Sequence, residues 1–439
     1  MKYDIPTALA RLGISDLNPM QQEMLQLYGR ERKIVLLSPT GSGKSVAYLL
    51  PLLGTLDADA SEVQALVLVP SRELALQTSD VVKKMATPVR AVACYGGRPA
   101  MEEHRKLMAQ QPQLVIGTPG RILDHMRKEN LRAAGIRTLV IDEFDKCLEL
   151  GFREQMADIL ALLRPDRCVL LSATDSPEIT NFVGQGFRRL NYNDADEQIP
   201  DRIAVHQVLS PAKDKLDTLG QLLCVLGAET SLVFVNYRES VERVGNYLQR
   251  LGLMAGVFHG GMEQRDRERA LFRFSNGSAN IFVSTDLASR GLDIPGIQNV
   301  IHYHLPLNEE AFIHRNGRTA RWDAGGDAFI ILGPEEHLPD YVRCEPDVFH
   351  FPAVIPPPSL PRWETLYIGK GKRDKINKVD IVGFLSKVGG LGREQLGRID
   401  VLPDWSYAAV ERTACRDVLA RVRGQKIKGQ KTIFALADK

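Results

Sequence analysis

Ser38-Pro39-Thr40-Gly41-Ser42-Gly43-Lys44-Ser45 is the stretch around which the rest of the chain makes sense. An apolar, β-type run, Ile34-Val35-Leu36-Leu37, precedes it, and a helix-like run from Val46 to Leu53 follows. Strand, glycine-rich turn and helix start together cradle phosphates, because backbone N–H groups and the helix dipole point at the anion. Thr40, Gly41, Ser42 and Gly43 would form that turn. Lys44 would reach the β- and γ-phosphates as a point charge, and Ser45 would hold Mg²⁺. The strict pattern has Gly where this chain has Ser38. The bland alternative is a flexible Gly/Ser turn with a surface lysine.

A chain of 439 residues is long enough for two or three domains. Its 44% hydrophobic and 25% charged residues are those of a folded globular protein. No apolar run reaches bilayer-spanning length, and Met1-Lys2-Tyr3-Asp4 does not open like a signal peptide. The six cysteines form no C-x-x-C pair, which argues against a disulfide framework or structural zinc and fits a reducing compartment. The expectation is therefore a cytoplasmic protein with no membrane partner. Charge is uneven: residues 361–439 hold 17 Lys and Arg against 9 Asp and Glu, leaving 39 against 45 in residues 1–360. A basic tail on a mildly acidic body suits a polyanionic partner.

Short apolar runs near 34–37, 65–69, 89–93, 114–116, 138–141 and 168–171 alternate with helical stretches such as Arg72–Met85 and Phe152–Leu163. This reads as a parallel sheet with helices on both faces. After a polar stretch, Asn191 to Asp201, the pattern restarts, with strands near 203–208, 232–235, 255–258, 280–283, 298–302 and 328–332. The second unit has no glycine-rich phosphate loop, so one nucleotide held by the first could be closed over by the second. The proline-dense segment 351–362 reads as a semi-rigid linker. Beyond it, the order β-α-β-β-α-β fits a small sheet with two helices on one face, as in RNA-recognition modules. The predicted domains are 1–195, 202–350 and 363–439.

Asp142-Glu143-Phe144-Asp145 ends the strand Thr138–Ile141. A carboxylate at that end of a strand beside a phosphate loop can hold Mg²⁺, and a second can polarise an attacking water. Asp142 is the candidate for the first role and Glu143 for the second. Ser172-Ala173-Thr174 ends the next strand, where hydroxyls could relay the state of the γ-phosphate. His314-Arg315-Asn316-Gly317-Arg318-Thr319-Ala320-Arg321 brings three arginines at three-residue spacing, a pattern suited to neutralising phosphate charge in a transition state. A plain basic surface helix is the alternative.

Taken in order, these pieces resemble the DEAD-box RNA helicases of superfamily 2 from about residue 10 to residue 345. Further matches are Asn18-Pro19-Met20-Gln21, Pro70-Ser71-Arg72-Glu73-Leu74-Ala75-Leu76-Gln77, Gly96-Gly97 and Thr118-Pro119-Gly120-Arg121. The second unit adds Leu232-Val233-Phe234-Val235-Asn236, His259-Gly260 with Gln264 and Arg267, and the run from Ser284 to Pro295. The resemblance implies two tandem RecA-like domains, ATP and Mg²⁺ as nucleotide and metal, and RNA as partner. It implies that Gln21 reads adenine, Asp293 takes a ribose hydroxyl, Arg318 and Arg321 act as arginine fingers, and His314 couples the acidic motif to the second unit. RNA phosphates and 2′-hydroxyls would meet Arg72, Gly97, Thr118 and Arg121 on one unit and Gln264 and Thr285 on the other. ATP and RNA together would favour a closed state that bends one strand and frees the other. The chain departs from the family at Phe144, where Ala is usual, and milder departures fall at Ser38, Ser45, Ser71, His304, Asn316 and Ala320. The upstream aromatic that stacks on adenine has no counterpart before Gln21, so looser adenine selectivity is expected.

Residues 363–439 resemble the RNA-binding domain of the DbpA/YxiN subfamily, through Thr365 to Lys372, Lys375-Ile376, Asp380 to Gly383, Gln395 to Asp400, Tyr407 to Val410 and Lys426 to Lys431. The resemblance implies a tether to large-subunit ribosomal RNA, within pre-ribosomal particles, by a monomeric enzyme. Lys370, Lys372, Arg373, Lys375, Lys426, Lys428 and Lys431 form two basic clusters that could converge on one face. Tyr367 and Tyr407 could stack bases, or could pack in a core. The sequence thus supports an RNA-dependent ATPase that unwinds short duplexes. An ATP-gated RNA clamp with weak unwinding is kept in view by Phe144, and a DNA translocase is a third reading.

Overall fold

The computed structural model describes residues 4–39, 41–97, 100–175, 177–184, 186–193, 203–286, 296–319 and 325–437. Among the predicted site residues, Thr40, Asp293 and Arg321 lie outside them, as does the departure at Ala320. The described chain forms two compact units, one before residue 194 and the other after residue 202.

In the first unit seven parallel strands form one sheet: β1 (Lys33–Leu37), β2 (Ala65–Leu68), β3 (Ala91–Cys94), β4 (Leu114–Gly117), β5 (Thr138–Ile141), β6 (Arg167–Ser172) and β7 (Arg188–Asn191), in the spatial order β3-β4-β2-β5-β6-β1-β7. The central strands are buried along their whole length because helices cover both faces, which is why they read as continuous apolar runs. One core layer joins Met24, Leu49, Leu52, Val67, Ile116 and Val140; the opposite layer joins Val35, Leu68, Val115, Phe144, Ile159 and Leu170.

The second unit repeats that order with its own strands: β8 (Ile203–Leu209), β9 (Ser231–Val235), β10 (Ala255–Phe258), β11 (Ile281–Thr285), β12 (Asn299–His302), β13 (Gly326–Leu332) and β14 (Asp347–Val348), arranged β10-β11-β9-β12-β13-β8-β14, all parallel. Edge strands β7 and β14 were not expected from the sequence. They are mostly polar or very short, and largely exposed, so they carry no apolar run.

The tail forms an antiparallel sheet, β16-β17-β15-β20, from β15 (Trp363–Ile368), β16 (Leu396–Val401), β17 (Ser406–Glu411) and, beyond the small hairpin β18 (Lys426–Ile427) and β19 (Gln430–Lys431), β20 (Phe434–Leu436). The helices Lys378–Lys387 and Arg412–Val422 bury Ile381, Leu385, Cys415 and Val418 against one face of it. The other face meets the helix Gln264–Ser275 of the second α/β sheet. Phe272 packs against Tyr407, its ring tilted by 31° with 4.8 Å between ring centres, Asn276 donates to Thr365 Oγ1 at 2.9 Å, and that hydroxyl donates to Ser278 Oγ at 2.8 Å. Of the two readings left open for Tyr367 and Tyr407, packing holds for Tyr407, while Tyr367 is half-buried. Tyr407 is only 2% exposed, and Arg265 lies over Trp405 and Tyr367 at 5.2 and 5.9 Å. The aromatic face is occupied by the protein itself.

Candidate functional site

The phosphate loop follows β1 and ends where the helix Lys44–Thr55 starts. Gly41 (φ +86°) and Gly43 (φ +91°) adopt left-handed backbone that a side chain would strain. Ser38, the departure from the strict pattern, fits without difficulty: its buried hydroxyl donates to Ser42 Oγ at 2.7 Å, and its N–H donates to Ser172 O at 3.1 Å. Lys44 folds back over the loop, with Nζ donating to Ser38 O at 2.5 Å and Pro39 O at 2.8 Å. An arriving phosphate could replace those neutral acceptors with a charged one.

Gln21 sits behind this loop. It forms a reciprocal cap with Asn18 at the start of the helix Pro19–Tyr28, with bonds of 2.9 and 3.1 Å. Its Nε2 also donates to Gly43 O at 3.3 Å, while Asn18 Nδ2 donates to Ser42 O at 3.0 Å. Both side chains therefore hold the loop in shape, a role that spacing alone did not reveal.

Asp142 and Glu143 follow β5. Asp142 is buried, and burial raises its carboxyl above the ordinary carboxylate range against the opposing charge of Lys44. Its Oδ1 accepts from Glu143 N at 3.0 Å. Burial, reinforced by Asp142, also drives the Tyr48 hydroxyl well above its usual value. Glu143 itself has φ +50° and ψ +55°, a conformation uncommon for a residue with a side chain and concentrated at working sites. A buried carboxylate whose ionised form lacks solvation, near Ser45 and a phosphate loop, is a donor set that suits Mg²⁺. Phe144 is fully buried and meets Phe182 at 5.1 Å, in the helix that follows Ser172-Ala173-Thr174. Ser172 Oγ bonds locally with Thr174 O at 2.8 Å, so Phe144 alters packing beneath the motif rather than its hydroxyls.

A second cluster lies at the ends of β2, β3 and β4. Ser71 caps the helix Arg72–Lys84, and a Cβ on Gly97 (φ +88°) would collide with the Arg72 guanidinium. Thr118 precedes the helix Pro119–Arg127. Buried Glu103, which the sequence reading overlooked, gathers the group: it accepts from Tyr95 N at 2.9 Å, lies 3.0 Å from His125 Nε2, and lies 3.5 Å from Arg121. The structure thus brings Arg72, Gly97, Thr118 and Arg121 to one end of the sheet.

In the second unit, Thr285 ends β11 and Gln264 opens the helix Gln264–Ser275, its Nε2 donating to Glu268 at 3.1 Å. His314 lies 3.4 Å from Glu310 on the helix Glu309–Asn316. Three-residue spacing does not make Arg315 and Arg318 equivalent, and Arg321 lies outside the described residues. The helix ends at Asn316, and Arg315 turns inward, bonding Asp286 at 2.7 and 2.6 Å, Asn236 at 2.7 Å and His304 O at 2.6 Å. Arg318 follows in the turn, its N–H donating to Arg315 O. His304 therefore has a structural use, and Arg315 is an internal strut.

On the tail, the two basic clusters do converge. Lys428 Nζ bonds Lys375 O at 2.9 Å and Asp380 at 3.1 Å, and Gln430 bonds Asp374 O at 2.9 Å, which ties the β18–β19 hairpin to the loop 370–376. Lys370 pairs with Asp374 and Arg373 with Asp404, each at 2.8 Å, while Lys372, Lys426 and Lys431 remain exposed.

Comparison with known proteins gives three family matches: a DEAD/DEAH box helicase over residues 18–182, a helicase conserved C-terminal domain over 214–323, and a DbpA RNA binding domain over 365–434. The chain is 32% identical to an ATP-dependent RNA helicase DbpA of Escherichia coli, over 97% of this chain and 95% of that protein. It is 29% identical to an ATP-dependent RNA helicase DbpA of Bacillus subtilis, over 100% and 98%. In fold it is similar to S. cerevisiae Dbp5 bound to RNA and ADP BeF3, with a TM-score of 0.69, 24% identity and coverage of 78% of this chain and 92% of that one.

Proposed function

The chain belongs to the DEAD-box RNA helicases, with a DbpA-type RNA-binding domain, and from that premise we propose how its residues divide the work. ATP is held by residues 40–45. Ser45 and Asp142 would hold Mg²⁺, which would supply counter-charge to the phosphates. Lys44 draws charge from the β- and γ-phosphates, and Glu143, fixed by its unusual backbone, orients the attacking water. Gln21 favours adenine while bracing the loop. His314, Arg318 and Arg321 serve the same step from the second unit, and Asp293 takes the ribose. Arg72, Gly97, Thr118, Arg121, Gln264 and Thr285 bind RNA backbone, which makes hydrolysis depend on RNA without sequence choice.

Sequence choice belongs to the tail. We assign it to the basic edge formed by Lys370, Lys372, Arg373 and Lys428, which tethers a monomeric, cytoplasmic enzyme to large-subunit ribosomal RNA during assembly of pre-ribosomal particles. The observation that supports this is the convergence of both lysine clusters on one edge while the aromatic face is covered.

Steady-state ATP hydrolysis with no RNA, a generic single strand and large-subunit ribosomal RNA, at one salt concentration, tests the reading. The double substitution Lys372→Glu and Lys428→Glu should leave stimulation by the generic strand intact and abolish any preference for ribosomal RNA. Unchanged preference would move the tether elsewhere. Deleting the tail is a poorer test, because it would bare Phe272.

A further inference from the structure

The edge of the first sheet opposite the phosphate loop carries chemistry that nucleotide and RNA binding leave unused. Arg32 immediately precedes β1, Arg137 immediately precedes β5, and Arg167 opens β6. These three strands are neighbours in the order β5-β6-β1, and backbone bonds put the arginines at one level: Arg167 N donates to Arg137 O at 3.0 Å, and Cys168 N to Arg32 O at 2.8 Å. Strands lie about 4.8 Å apart, so three arginines share a row roughly 10 Å wide.

Together with Thr55, Gln64, Thr138 and Asp166, they line a cavity of about 320 Å³. Asp166 is the one carboxylate among three guanidinium groups there, and among the described residues none of the three makes an ion pair. Like charges on adjacent strands repel, which is a standing cost unless an anion answers them. Arg167 Cζ lies over the Tyr28 ring at 4.2 Å from its centre. The buried Tyr28 hydroxyl lies beside Arg167, Thr138 and Thr55. The C-terminus of the helix Lys44–Thr55 also ends here, and its dipole would favour one cation. It does not account for three.

We propose that this cavity binds a small phosphate-bearing molecule, at a site separate from the nucleotide loop. Planar guanidinium forks match phosphate oxygens two at a time. Thr55 Oγ1 already donates to Leu52 O at 2.7 Å and the Gln64 amide is tied to the backbone of Asp57, so recognition falls to the arginines. The volume is at the low end for ligand sites, which selects a compact ligand such as a sugar phosphate. The helix Lys44–Thr55 joins the two sites: its first residue is the phosphate-loop lysine and its last lines the cavity, about 18 Å away.

The test is calorimetric titration of the full chain, its nucleotide loop saturated with ADP and Mg²⁺, using fructose 1,6-bisphosphate, citrate and a 5′-phosphorylated dinucleotide as separate probes. The bisphosphate should bind one equivalent, and citrate more weakly. Arg32 and Arg137 are exposed, so the double variant Arg32→Gln, Arg137→Gln should fold, hydrolyse ATP normally, and lose at least tenfold in affinity for the bisphosphate. Arg167→Lys, which keeps the charge and loses the fork, should lose affinity as well. The proposal fails if the bisphosphate does not bind, if the double variant binds it within twofold of the parent, or if the dinucleotide alone binds. The last result would give the cavity to RNA ends.

Discussion

The two α/β sheets have the same strand order, and in each the first strand leads to a helix with a buried lysine at its start: Lys44 is the first residue of one, and Lys215 immediately precedes the other, Leu216–Leu226. What surrounds those lysines differs. Lys44 bonds the backbone carbonyls of Ser38 and Pro39 on a loop whose glycines take positive φ. Lys215 bonds Ile331 O at 3.0 Å and the Glu336 carboxylate at 2.7 Å, and that carboxylate is itself tied to Gly333 N at 2.8 Å. In the second unit an internal anion already occupies the lysine, so a phosphate would meet like charge. The same topology is thus a nucleotide site in one copy and a structural ion pair in the other. The difference rests on two glycines and one glutamate rather than on the fold.

The largest effect that can break this comparison is on hydrolysis. Lys44→Ala should lower RNA-stimulated turnover by about 10³-fold, the scale of losing a preorganised charge at a transferring phosphoryl group. Lys215→Ala should leave turnover per folded molecule nearly intact while lowering the unfolding midpoint. Near-normal turnover in Lys44→Ala, or a comparable loss in Lys215→Ala, would show that the two lysines are not divided in this way.

Phe144 sharpens the comparison from inside the first unit. It replaces the small residue usual in the acidic motif, yet the structure gives it a full packing role against Phe182. Phe144→Ala should therefore cost about 3 kcal/mol in denaturant unfolding, as large-to-small core substitutions do, and leave unwinding per ATP hydrolysed unchanged. A gain in strand displacement with little loss of stability would instead make Phe144 a brake on coupling, and would favour the clamp reading.

Much of this was legible in the sequence because burial on both faces writes strands as apolar runs, and because a phosphate loop needs glycines just before a helix. The edges were not legible: Arg188–Asn191 and Asp347–Val348 lack an apolar run. Nor could a row of arginines say which one is already paired, since the partner of Arg315 is Asp286, 29 residues upstream. Tyr407 was ambiguous for the same reason. Its partner Phe272 is a long way off in sequence, and only the folded chain shows that a face suited to bases is already covered. Glu103 and His125 look like ordinary helix residues until both are found buried beside Arg121.

Acid should separate the two units with the smallest but most diagnostic effect. Burial first, then the charge of Arg315, pushes His302 down to about 3; burial, then Lys215 and Arg315, pushes His304 down to about 4. Both are neutral in the folded second unit but take up protons near pH 6.5 once unfolded. The unfolded state thus binds more protons below that value, and stability of this unit falls as pH drops from about 6.5 towards 4. Asp142 in the first unit has the opposite sign. Its raised folded value means that acidification relieves a buried charge, so the first unit gains from this group as the pH falls towards the unfolded carboxyl range. All three tryptophans (322, 363 and 405) belong to the second half of the chain, so their fluorescence in urea reads the second unit. Its midpoint should fall between pH 6.5 and 4.5 with a slope no steeper than about 1.4 kcal/mol per pH unit for each histidine. His302→Gln, which keeps a donor for Asn316, should flatten that slope. A parent midpoint that holds steady to pH 4.5 would mean that neither histidine is kept neutral by the fold, and the proposed contrast in acid response would go with it.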